Sequence, residues 1–120
     1  MDLQGGINVI LEVSVADVIK SLSNFSDDTT FNKAIIQAKR KQLETNEDFV
    51  TLFGRAFERI DPNARLAAIF LYSLRDRIDY NSQNEEVLDI IRQETRDAVD
   101  NSFNIIIINK IMTSIYIGNQ

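Results

Sequence analysis

Phe49, Leu52, Phe53, Ala56, Phe57 and Ile60 recur at three-and-four spacing, and this stripe limits the possible folds more than any other feature of the chain. Side chains at that spacing share one face of an α-helix, whereas on a strand they would fall on both faces. A helix with one apolar face must bury it against elements with matching faces. The chain supplies them. Val15, Val18, Ile19 and Leu22 fit a short helix, and Phe31, Ala34, Ile35 and Ala38 line one face of another. Leu66, Ala67, Phe70, Leu71, Leu74 and Ile78 form a fourth stripe. A longer fifth helix would turn inward Val87, Leu88, Ile91, Ala98, Val99, Phe103 and Ile106.

Start signals accompany these stripes. Asp28 or Thr29 can cap the second helix, and Asn46 the third, with Glu47 and Asp48 in its acidic first turn. Asp61-Pro62 predicts an N-cap followed by proline at the first helical position, where its missing N–H costs nothing. Ser82 and Glu85 have capping-box spacing.

Two segments read differently. From Ile7 to Val15 apolar and other residues alternate with period two, which predicts a half-buried strand over 7–15, entered through Gly5-Gly6. Ser114 to Gly118 can form a second short strand. The expected class is therefore α+β and mostly α. Four or five helices pack on a small sheet, in a single domain spanning 1–120.

Composition excludes more than it assigns. With no Cys and no His, the chain has no disulfide, no thiolate or imidazole metal site and no Ser-His-Asp triad. Thirteen basic against 18 acidic side chains give a net charge of −5, which argues against a nucleic-acid partner held by phosphate contacts. The longest apolar stretch, Ile105 to Ile117, is interrupted by Asn109, Lys110, Thr113 and Ser114 and is shorter than a membrane span of roughly 20 residues. No basic, apolar leader opens the chain, so it is expected to be soluble.

The chemistry-bearing residues have structural readings. The carboxylate pairs Asp27-Asp28, Glu47-Asp48 and Glu85-Glu86 each stand where a helix begins, so they read as caps rather than acid/base or calcium sites. Lys39-Arg40-Lys41 is a nucleic-acid or anionic-lipid patch or, better supported by a helix end, a solvated terminus. Phe49, Phe53 and Phe57, with Phe70, either form core or line an apolar groove for polypeptide. The residues assign no catalytic, cofactor-binding or metal role, and no cofactor is expected.

The opening Asp2-Leu3-Gln4-Gly5-Gly6, followed by the Leu11-Glu12-Val13 strand, resembles the Asp-Leu-x-Gly-Gly motif of the SecD protein-export family. The family-motif residues here are Asp2, Leu3, Gly5 and Gly6. Asn46 through Phe70 is similar to the helical insertion of fused SecD–SecF proteins from Bacteroides-like bacteria. Asn84-Glu85-Glu86-Val87 and Ala98 to Asn104 resemble the long helix that returns to the base of that domain. The resemblance covers about residues 2–104. It implies a truncated first periplasmic domain of a multi-pass inner-membrane protein. Such a domain would be non-enzymatic and would assist proton-gradient-driven export of secreted polypeptides as a partner of the Sec translocon. Phe49, Phe53 and Phe57 would be the polypeptide-contact surface. The alternative is a stand-alone helical interaction module, or a non-functional remnant of such a domain.

The resemblance ends at Asn104. Seven of the last 17 residues are Ile, where the family continues with an Arg-Ile-Asp-x-Phe-Gly-Val-like segment. Residues 105–120 are thus expected to be a frameshifted or lineage-specific tail. An open-edged strand over 7–15 and a pairing strand in the tail would favour a homodimer.

Overall fold

The computed structural model describes the backbone of residues 15–118 and the side-chain surroundings of residues 15–101. Among the described residues five helices follow one another: α1 (15–22), α2 (Thr29–Gln42), α3 (Phe49–Ile60), α4 (Leu66–Leu74) and α5 (Asn84–Gly118). Helix α3 packs against α2, and α5 packs against both α3 and α4.

No strand occurs among the described residues, which corrects the expected α+β class. The helices pack on one another, not on a sheet. Val15 opens α1 instead of ending a strand, and residues 7–14 lie outside the described part. Residues 114–118 are the last turn of α5, not a strand, so they do not supply the pairing strand on which a dimer was expected. The reason is local. No Pro interrupts Asn84–Gly118 and the first Gly is at its end, so a helix once nucleated continues through the β-branched isoleucines.

Two caps differ from expectation by a residue or two. Asp28 caps α2, with Oδ2 accepting the Phe31 N–H at 2.9 Å, as the sequence suggests. Asp48, not Asn46, caps α3, accepting the Thr51 N–H at 3.1 Å. At α5 the Val87 N–H reaches the Gln83 carbonyl at 3.1 Å, and Glu86 Oε1 accepts the Gln83 N–H at 3.1 Å. The Glu86 bond is one arm of a capping box, set one position later than Ser82 and Glu85, and the Val87 bond is the first of the helix itself.

Asp61-Pro62 does not start α4. The Asp61 N–H ends α3 on the Phe57 carbonyl, and its own carbonyl accepts the Ala64 N–H at 3.0 Å. Proline then occupies the second position of a tight turn, for which its fixed φ is equally suited. The start of α4 is completed from outside the helix. Asn84 Oδ1 accepts the Leu66 N–H at 2.9 Å, and Asn84 Nδ2 donates to the Ala64 carbonyl at 3.3 Å.

Helix α1 ends in a Schellman motif: Phe25 N–H to the Lys20 carbonyl and Asn24 N–H to that of Ser21, both at 2.9 Å. Asn24 and Phe25 take φ of 59° and 53°, the left-handed region. Phe25 holds this conformation with its ring exposed.

The core is aromatic. Phe31 of α2, Phe53 of α3 and Phe70 of α4 meet edge to face, with centroids 5.6, 5.9 and 6.4 Å apart. Ile19, Phe57, Leu66, Val87 and Ile91 are fully buried around them. Burying each large apolar side chain stabilises by about 1.5–3 kcal/mol, and favourable ring geometry adds about 0.5–1.5 kcal/mol per pair. Leu88 of α5 packs its side chain against α3 at Gly54. A Cβ placed on Gly54 would stand 2.5 Å from Leu88 Cδ1, so the absent side chain is what lets Leu88 sit there.

Candidate functional site

A surface cleft of about 370 Å³ lies where the start of α1, the start of α3 and the middle of α5 converge. Its polar wall is organised by Arg92. Nε donates to Asp48 Oδ2 at 3.2 Å, Nη1 to Asp89 Oδ1 at 2.8 Å and Nη2 to Thr51 Oγ1 at 3.0 Å. Asp48 Oδ2 also accepts from the Thr51 N–H and hydroxyl, at 3.1 and 3.3 Å. Thr95, buried one turn further along α5, turns its hydroxyl back to the Arg92 carbonyl at 3.0 Å.

This arrangement holds structure together more than it offers chemistry. Asp48 caps a helix and receives a guanidinium with the same oxygen, Oδ2, so the lone pairs of that oxygen are engaged. Beside it, Glu47 forms a two-pronged pair with Arg55, at 2.9 and 3.1 Å. That hydrogen-bonded guanidinium holds the Glu47 carboxyl below its ordinary range and raises Arg55 above its own. Among the described residues, no three carboxylates gather as a metal site.

A second groove, about 290 Å³, runs between α2 and α3. Gln37, Arg40 and Lys41 face Arg55 and Arg59 across a floor made by Leu52 and Ala56. Arg59 reaches Gln37 Oε1 at 3.5 Å. Elsewhere, Arg65 lies over the Tyr80 ring and Arg75 over that of Tyr72, each 5.6 Å from the centroid.

The sequence-predicted residues separate sharply. Asp2, Leu3, Gly5 and Gly6 lie outside the described part. Phe49, Phe53 and Phe57 are buried, 4%, 0% and 0% exposed, so as placed they are core and present no contact surface. Among the described residues, the exposed large apolar side chains are instead Phe25, Ile36, Leu43, Tyr72 and Tyr80. Sequence reasoning missed Arg92. Its one local sign is Asp89, three residues earlier on the same helix; its partners on α3 are more than 40 positions away. Among the described residues, no helix is long and apolar enough to cross a membrane.

No family model matches the chain, and no solved structure does. The protein translocase subunit SecD of Rhodothermus marinus is 37% identical to it over 106 residues, covering 88% of the chain. The chain spans only 17% of that relative's length. The match does not reach the finer likeness to fused SecD–SecF proteins of Bacteroides-like bacteria, which rests on the sequence motifs alone. At this identity over most of its own length, the chain belongs to the SecD family.

Proposed function

We propose that the chain is a non-enzymatic part of a SecD-type protein-export component, contacting secreted polypeptide in its unfolded state beside the Sec translocon. The observation that carries this reading is the 37% identity to a protein translocase subunit over 88% of the chain. Its place would be the periplasmic face of the inner membrane, where it assists translocation driven by the proton gradient. The use of the carboxylates supports a mechanical part over a catalyst. Asp28, Asp48 and Glu86 each hold a helix start.

With Phe49, Phe53 and Phe57 in the core, polypeptide contact falls to exposed aromatics. Phe25, Tyr72 and Tyr80 are 74%, 69% and 57% exposed, and each tyrosine carries an arginine over its ring. A ring with one apolar face and a nearby cation tolerates many sequences, as an export component requires. A photo-crosslinking residue at each of these three positions, in membranes holding a stalled secretory precursor, tests the reading. Adducts that disappear when the precursor is released are expected. No adduct from any position, while the translocon itself crosslinks to the precursor, overturns the reading and favours a stand-alone helical module.

A further inference from the structure

Helix α2 is electrostatically unlike the rest of the chain. Thr29–Gln42 carries Lys33, Lys39, Arg40 and Lys41 and no carboxylate. Setting those four charges aside from the chain's −5 leaves the remainder at −9. Its inner face is fully committed, with Phe31, Ala34, Ile35 and Ala38 buried. On its outer face Lys33, Ile36, Arg40 and Leu43 follow one another at three-and-four spacing, cation and apolar residue in turn. Ile36 is 50% exposed and Leu43 88%. Lys39 and Lys41 flank the stripe, and among the described residues none of the four cations forms an ion pair. Asp28 caps the start of the helix, and Glu44, just past its end, lines the groove beside Arg40 and Lys41.

We propose that this outer face of α2 is a docking surface for an anionic phospholipid bilayer. Two apolar side chains spaced two turns apart between cations match the interfacial geometry in which apolar tips enter the headgroup layer and ammonium and guanidinium groups meet phosphate. Of the stripe only Arg40 borders the groove between α2 and α3, so Lys33, Ile36 and Leu43 suit an extended surface better than a peptide strand laid in that groove. Charge complementarity chooses the occupant, because a neutral surface would gain nothing from four unpaired cations on one helix. This inference stands apart from the export reading, since it needs no secreted polypeptide.

The test is sedimentation of the full chain with vesicles of phosphatidylglycerol and phosphatidylcholine, against vesicles of phosphatidylcholine alone. Binding to the anionic vesicles only, weakening as salt rises, is expected. The double variant Lys39→Gln/Arg40→Gln should bind roughly 25-fold more weakly, about fivefold for each charge near the surface. Leu43→Ser should also weaken binding, at unchanged charge. All the substituted side chains are exposed, so thermal melts of the variants should match the parent. Equal binding of parent and double variant overturns the proposal, because another part of the chain would then hold the vesicle. So does equal binding to both vesicle types. Failure to bind anionic vesicles while polyglutamate is bound likewise overturns it, assigning the face to acidic polypeptide.

Discussion

Asn84 does at one position what a local cap does elsewhere. Its amide accepts from Leu66 N–H and donates to the Ala64 carbonyl, so one side chain closes the start of α4 while standing in the first turn of α5. Asn84→Ala leaves a partly buried N–H without its acceptor and should cost about 1–2 kcal/mol in urea unfolding. Asn84→Asp keeps the acceptor but sets a carboxylate against the Ala64 carbonyl, and should recover only part of that loss. Glu47 makes a contrasting case at the surface. Its folded pKa is depressed by the Arg55 hydrogen bond, so its contribution to stability is present above the ordinary carboxylate value of 4.5 and is lost as pH falls through the folded value. In thermal melts from pH 6 down to 3, Glu47→Gln should lower the neutral end slightly, as the pair is solvent-exposed, and converge with the parent at the acid end, so that the pH dependence flattens.

At the scale of elements, the contact between α3 and α5 turns on one missing methyl. Gly54→Ala improves helix propensity by about 1 kcal/mol but drives a Cβ against Leu88, a buried side chain, and overpacking of this kind costs about 1–3 kcal/mol. Net destabilisation is expected by chemical denaturation. Leu88→Ala should cost clearly less in the Gly54→Ala background than in the parent, and that coupling identifies the contact as the cause. Helix existence was legible because the stripes of α2, α3 and α4 carry the helical period so plainly. Helix ends were less so. Asp61-Pro62 is as good a turn as a start, and only the distant Asn84 decides that α4 begins after it. The tail misled for a related reason. A β-branched run reads as strand in isolation, yet here it continues a helix already nucleated twenty residues upstream.

For the whole molecule, the Phe31–Phe53–Phe70 triad joins three helices through one cluster of rings. Phe53→Ala should remove about 3–5 kcal/mol, a large share of the 5–15 kcal/mol typical of a folded domain, and lower the urea midpoint accordingly. Phe53→Leu should retain most of the stability. These same phenylalanines show where the candidate site could not be read from sequence. A stripe of aromatics at helical spacing looks alike whether a neighbouring helix covers it or a ligand does, and only the packing of α2 and α4 shows that neighbours cover it. The cations of α2 were visible, but Ile36 and Leu43 became informative only once the buried face was fixed on the other side. The shared oxygen of Asp48 has a kinetic consequence as well. Because Oδ2 both caps α3 and receives Arg92, any excursion that draws α5 away also loosens the first turn of α3. The Thr51 amide is then a built-in reporter. Its hydrogen exchange should accelerate in step with the separation of two helices whose sequences lie some 40 residues apart.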